Sequence, residues 1–309
     1  MNIAILGAGA MGSLFGGLLA EAGQRVVLLD IDDAHLAAIR DAGLRLDTDA
    51  GSRHVSRLAA CRPEQASEAP DLLIVFTKTL HTGQALAAVE RLLAPHTLVL
   101  TLQNGLGNVE AVGRHVRQER ILVGMTTWPA DLCGPGHVRS HGQGLVRLMP
   151  LVIQQQQAAA RVAEVLNLAA LQCEVDAQAW VAIWEKVAFN AALNSLCAVT
   201  GCTVGQLNAA PEGMALARAV VAEVVATARS AGVAADAAHC MASVAHALAH
   251  HAGHKPSMLQ DVLAGRRTEI AAINGAVVAQ ARRAGIAVPN TEMLLGLVRL
   301  VEARAVEHS

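Results

Sequence analysis

The opening segment restricts the fold more than any other part of this chain. Asn2-Ile3-Ala4-Ile5-Leu6 is a short apolar run, Gly7-Ala8-Gly9-Ala10-Met11-Gly12 follows it, and a further apolar stretch runs to Ala22. The run predicts a buried strand, and Met11 to Ala22 a helix. The three glycines of the loop each have a physical reason: a tight turn, close approach of backbone to a ligand, and close packing of helix on strand. Such a loop aims backbone N–H groups from a helix N-terminus, where an anion is stabilised. A second strand, Arg25 to Leu29, ends at Asp30, near the ~20-residue spacing at which a dinucleotide fingerprint places its acid. Glycines also serve ordinary turns. Strand, loop, helix and acid together predict a dinucleotide site on Gly7, Ala8, Gly9, Ala10, Met11, Gly12 and Asp30. A carboxylate at position 30 accepts hydrogen bonds from ribose hydroxyls and repels a 2′-phosphate, and Ile31-Asp32-Asp33 brings no Arg to offset that, so NAD(H) is favoured over NADP(H). The local alternative for Asp30 is a solvated strand end or a helix N-cap ahead of Asp33 and Ala34.

The alternation continues through the N-terminal half. A helix is expected over Ala34 to Ala42, a hairpin from Leu44 to Leu46 and Arg53 to Leu58, and buried strands at Leu72 to Phe76 and Leu98 to Leu102. Val138 to Ser140 and Leu145 to Leu148 read as an antiparallel extension of the sheet. After Cys173 the pattern is almost continuous helix: Gln178 to Cys197, Glu212 to Ala231, Asp236 to Ala249, Ser257 to Leu263, Thr268 to Ala284 and Thr291 to Val306. Gly285, with Pro289 beyond it, reads as a helix stop. The expected fold class is α/β: a Rossmann-type dinucleotide-binding domain over residues 1–173 and an all-helical substrate-binding and catalytic domain over 174–309.

Composition removes several classes. The 309 residues are 53% hydrophobic, 16% charged and 2% aromatic, with a formal net charge of -2. That excludes disorder and supplies no basic excess for nucleic acid. The six Cys and 13 His show no CxxC pair or ligand spacing; His250, His251 and His254 read as a solvated loop after a helix, and no metal is expected. The apolar N-terminus lacks a basic flank and is rich in glycine, so it reads as part of the fold of a cytoplasmic protein rather than as a leader or a membrane span.

Within Ala179 to Gly201, Lys186, Asn190 and Asn194 recur at helical spacing on one face of an otherwise apolar segment. Burying them is costly unless something satisfies them. Either a polar substrate does so, or Lys186 pairs with a carboxylate while the asparagines bond to backbone. Further on, Ser257 with Gln260 fits a capping box, Thr268 fits a cap for the next helix, and Glu269 fits a carboxylate in that helix's first turn.

Taken in order, the glycine loop, Thr77-Lys78, Gln103-Asn104-Gly105-Leu106-Gly107-Asn108, the segment WEKVAFNAALN, SMLQD and TEIAAING resemble the ketopantoate reductase (2-dehydropantoate 2-reductase) family over essentially the whole chain. The resemblance implies reduction of a 2-keto acid by a nicotinamide dinucleotide, in that family most often NADP(H), with substrate between a Rossmann and a helical domain. Lys186 corresponds to the family's proton-donating lysine. Asn190, Asn194 and Ser257 correspond to substrate contacts, Glu269 to a glutamate supporting cofactor and substrate, and Lys78 and Asn104 to residues flanking the nicotinamide.

The departures from the family pattern lie at Asp30-Ile31, where NADP-dependent members carry a basic residue, and at Val204 and His254, where some members carry asparagines. They leave an NAD-dependent D-2-hydroxyacid dehydrogenase for another branched or aromatic 2-keto acid as the rival activity. A dinucleotide sensor without turnover is a third reading, and retention of Lys186 and Glu269 stands against it. The Ala- and Val-rich helices of the second domain could bury surface in a homodimer.

Overall fold

The computed structural model describes residues 1–250 and 252–306. It divides into two compact units, residues 1–103 with 108–179, and residues 104–107 with 180–309.

The first unit alternates strand and helix: β1 (Asn2–Leu6), α1 (Ala10–Glu21), β2 (Arg25–Leu29), α2 (Asp33–Ala42), β3 (Leu44–Thr48), β4 (Gly51–Val55), β5 (Leu58–Cys61), β6 (Leu72–Val75), α3 (Thr82–Val89), β7 (Leu98–Thr101), α4 (Asn108–Val112), β8 (Ile121–Thr126), β9 (Asp131–Gly134), β10 (His137–Ser140), β11 (Val146–Pro150), α5 (Gln156–Leu168) and β12 (Cys173–Val175). Eight strands form the main sheet in the order β12-β11-β8-β7-β6-β1-β2-β5. From β5 to β8 every pairing is parallel, and β11 returns antiparallel to β8. The side-chain period of two decides which layer each residue feeds. Ile3, Ile5, Leu72 and Ile74 enter one core with Leu14, Phe15 and Leu19 of α1. Ala4, Leu6, Leu73 and Val75 enter the opposite one with Leu86 and Val89 of α3. Strand order reverses between β1 and β6, and a doubly wound sheet opens a crevice beyond the strand ends at that point.

Three features depart from the expectation. β5 is a separate strand paired with β2, not the end of the hairpin. β3 and β4 join β10 and β9 in a second, four-stranded sheet, so the pieces on either side of HGQG belong to different sheets. The boundary expected at residue 173 falls inside the first unit: β12 pairs in parallel with β11 from Cys173 onward, and the division by contacts comes after Ala179.

The second unit is helical: α6 (Ala179–Thr200), α7 (Val204–Ala209), α8 (Pro211–Ser230), α9 (Ala237–His250), α10 (Ser257–Leu263), α11 (Asn274–Ala284) and α12 (Pro289–Val306). Val220, Val221 and Val224 of α8, Val277 of α11 and Val298 of α12 pack with Ala191 and Ala192 of α6 in one core. Gly285 closes α11 in the left-handed conformation, φ 68° and ψ 26°, as expected of a C-terminal glycine. The helix expected from Thr268 begins only at Asn274. The Thr268 N–H and hydroxyl both donate to Glu302 Oε1, at 2.7 and 2.6 Å, which ties this segment to α12 and leaves Glu269 in a bend before the helix. The capping box at Ser257 does not form either: Pro256 is the N-cap, and Gln260 Nε2 donates to the Lys255 carbonyl. His251 lies outside the described residues, and no described helix is long and apolar enough to cross a membrane.

Candidate active site

Within the first unit, the glycine loop sits at the switch point. Gly7 has φ +97°, and a Cβ there would lie 2.6 Å from the Thr77 backbone nitrogen, so the end of β6 can approach only a glycine. A Cβ on Gly12 would lie 1.9 Å from the Gly7 carbonyl oxygen, which fixes the first turn of α1 against the loop. Gly9, the N-cap of α1, is different: a Cβ there meets nothing within 4 Å. The loop is closed by packing at its ends and open at its middle, where backbone approach to an anion requires space.

Asp30 is bound into this loop. Its Oδ2 accepts the Ala8 N–H at 2.5 Å, and its Oδ1 accepts the N–H groups of Ile31 and Asp32 at 2.7 and 3.1 Å. The helix cap is Asp32, which accepts the His35 N–H at 3.1 Å, so the capping alternative for Asp30 is not realised. Lys78 follows β6 beside Thr77. Gln103, at the end of β7, donates through Nε2 to the Thr77 carbonyl at 2.6 Å and to Thr82 Oγ1 at 2.7 Å, bracing the segment that carries Lys78.

Within the second unit, α6 carries Lys186, Asn190 and Asn194 on successive turns. Burial lowers the Lys186 pKa to about 8, and the Glu269 carboxylate opposes that fall. Glu269 in turn accepts from Asn104 Nδ2 at 3.4 Å. The Asn104 segment belongs to this unit: the Leu106 N–H donates to the Ala272 carbonyl at 2.9 Å, and Gly105, φ +81°, leaves room for that carbonyl where a Cβ would lie 2.5 Å from it. Lys186, Glu269 and Asn104 are thus linked.

Asn190 and Asn194 are each 6% exposed. Among the described residues neither amide has a protein hydrogen-bond partner, and neither is among the sealed polar atoms that lack one. Their amide atoms are therefore not fully sealed. That removes the reading in which they bond to backbone and leaves them open to a ligand. Ser257 starts α10 on the surface. Val204 is buried, and its N–H donates to the His254 carbonyl at 3.1 Å, so the two positions that depart from the family pattern are neighbours.

Sequence reasoning passed over Ser13 and His35, both buried behind the glycine loop, and Asn274, whose Nδ2 donates to the Ala191 carbonyl at 3.3 Å between the two open asparagines. Ser13 stands out in the apolar α1, whereas α2 and α11 carry charged residues and gave His35 and Asn274 no comparable signal.

A glycine loop at the switch point of a doubly wound sheet, joined in one chain to a helical unit with a desolvated, half-buried lysine near a glutamate, defines a dinucleotide-dependent oxidoreductase. Two family models match in tandem, Ketopantoate reductase PanE/ApbA over residues 3–151 and Ketopantoate reductase PanE/ApbA C terminal over residues 178–302. The chain belongs to the ketopantoate reductase family. The 2-dehydropantoate 2-reductase of Streptococcus pyogenes serotype M1 is 34% identical over 304 residues, 98% of each chain. That of Halobacterium salinarum is 34% identical over 302 residues, 98% of this chain and 99% of its own. Among solved structures, D-mandelate dehydrogenase with NADH and anilino(oxo)acetate matches at a TM-score of 0.95 and 30% identity, over 99% of this chain and 100% of that one. The PanE/ApbA family ketopantoate reductase of Ralstonia eutropha JMP134 matches at 0.90 and 32%, with the same coverage.

Proposed function

We propose that this chain reduces the keto group of 2-dehydropantoate (ketopantoate) to give D-pantoate in the cytoplasm, with NADH favoured over NADPH. The observation that carries the reading is Lys186, a half-buried ammonium in the field of Glu269, with two unpartnered amides on the next turns of its helix. The open space at Gly9 fits a dinucleotide pyrophosphate, and the Asp30 charge suits ribose hydroxyls better than a 2′-phosphate. When bound, the nicotinamide supplies hydride. Lys186 stabilises the charge that develops on the keto oxygen and gives up its proton there. Glu269 keeps Lys186 charged until then, Asn104 holds Glu269, and Asn190, Asn194 and Ser257 orient the carboxylate and side chain of the substrate. Lys78 and Asn104 flank the nicotinamide. The first unit serves the dinucleotide and the helical unit the substrate. Self-association through the helical unit belongs to the same reading, since α12 leaves Met293, Leu297 and Leu300 exposed at helical spacing.

A second reading, a D-2-hydroxyacid dehydrogenase for a bulkier substrate, is favoured by the adjacent departures at Val204 and His254 and by the likeness to a D-mandelate dehydrogenase. Initial rates of NADH and NADPH oxidation with ketopantoate, 2-ketoisovalerate and phenylglyoxylate separate the readings. Ketopantoate with NADH is expected to be fastest, and Lys186→Ala to abolish turnover while still binding dinucleotide. Preference for phenylglyoxylate would move the assignment to the second reading, and preference for NADPH would overturn the argument from Asp30. No turnover with any substrate would leave a dinucleotide sensor.

A further inference from the structure

A buried histidine stands behind the glycine loop. His35, on α2, is 2% exposed, and both its ring nitrogens are engaged. The Gly136 N–H donates to Nδ1 at 3.0 Å, so Nδ1 is the bare nitrogen and the proton of the neutral ring sits on Nε2. Nε2 faces Ser13 Oγ at 3.0 Å, and the Ser13 hydroxyl donates to the Ala8 carbonyl at 2.7 Å. Ala8 is therefore gripped on both sides, its carbonyl through Ser13 and His35 and its N–H by Asp30. The far end of the chain of bonds is equally constrained. Gly136 has φ +67°, and a Cβ there would lie 2.9 Å from the Ala38 Cβ, so this turn reaches α2 only because the residue is glycine.

We propose that His35 is a positioning residue of the glycine loop that works only as the neutral Nε2–H tautomer, and that its protonation in acid releases Ala8 and weakens dinucleotide binding. The proposal rests on reading residues 7–12 as the dinucleotide loop. An imidazolium carries a proton on Nδ1, which would face the Gly136 N–H donor to donor. One hydrogen bond is lost and the ring must shift, and with it Ser13 and the Ala8 carbonyl.

The surrounding charges set the direction. Burial pulls His35 protonation below the usual imidazole range, while the carboxylates of Asp30 and Asp32 and a bond to the Ala8 backbone oppose that fall. On α2, Asp33 is engaged by Arg62, and α1 brings only Glu21, paired with Arg53. The turn before β10 brings backbone, and the following His137 is held by Asp47. Binding that requires the neutral ring falls off as pH drops through the His35 protonation midpoint, approaching about tenfold per pH unit beyond it. Linkage requires the converse, that bound dinucleotide lowers this midpoint.

The test is calorimetric titration with NAD+ at about pH 8 and about one pH unit below the His35 midpoint, located by imidazole 15N NMR of the wild type with and without NAD+, on the wild type and on His35→Gln. The expected result is tight binding at the higher pH, a loss of about tenfold or more in acid, little pH dependence in His35→Gln, and an Nε2–H tautomer whose protonation midpoint falls when NAD+ is added. Equal wild-type affinity at both pH values, an Nδ1–H tautomer, or an unmoved midpoint would overturn the role of His35 and leave the dinucleotide loop standing. No binding at either pH would overturn the loop assignment and the proposal with it. The NMR arm uses only the wild type, so it decides even if His35→Gln does not fold.

Discussion

Lys186 combines two properties that an ammonium in water does not have together: it is charged at neutral pH and close to releasing its proton. Desolvation supplies the second, and the negative charge of Glu269 limits how far it goes. If Lys186 is the proton donor, the reduction rate must fall as pH rises through the Lys186 midpoint, so the pH profile should show an alkaline limb near 8. Glu269→Gln removes the charge that raises the lysine's pKa, so the same limb should move to lower pH, and the rate at neutral pH should fall with it. A limb that stays in place in Glu269→Gln, measured as kcat/KM against pH, would mean that Glu269 does not govern the donor. Asn190 and Asn194 were legible at this scale because polar residues at helical spacing in an apolar helix are exceptions by themselves. What could not be read was their lack of protein partners, which depends on every neighbouring element.

The loop between β1 and α1 places different demands on glycines only a few positions apart. Gly12→Ala puts a methyl against a main-chain oxygen that cannot move without undoing the turn at Gly7, and should destabilise the fold by about 3 kcal/mol. Gly9→Ala puts the same methyl into open space at φ −62°, so its thermal midpoint should stay within the change that about 1 kcal/mol produces. The methyl then occupies the space where a pyrophosphate would rest on the backbone, and dinucleotide affinity should fall at least about tenfold. Thermal melts and NAD+ titrations of the two variants check this; an affinity loss in Gly12→Ala alone would place the anion elsewhere. Elements held by nearby chain, such as β1, α1 and the stop at Gly285, were readable because their causes are local. The second sheet was not, because β10 pairs with β3 across most of the first unit. The start of α11 was hidden for a similar reason: Glu302, 34 residues away, accepts from the Thr268 N–H and hydroxyl and ties the segment to α12. The contact of His35 with Gly136 spans 101 residues and left no pattern in the sequence.

Six cysteines, three in each unit, make the packing of the whole chain measurable in one experiment. All are free thiols: Cys133 is exposed, Cys61 and Cys202 are half-buried, and Cys173, Cys197 and Cys240 are buried. A disulfide reagent needs both access and thiolate. Burial denies the last three access and also raises their pKa to about 12, which leaves roughly one thiolate in ten thousand molecules at pH 8. Cys173 lies in β12 against the main sheet, whereas Cys197 and Cys240 lie in the helical core, so they report on different units. In the native protein a thiol reagent should modify Cys133 first and Cys61 and Cys202 more slowly, with the other three protected until the unit that holds each unfolds. Mass spectrometric mapping of the labelled sites along a urea titration checks this. Rapid native labelling of Cys197 or Cys240 would show that the helical core opens readily, and the desolvation that brings Lys186 to about 8 could not then be sustained.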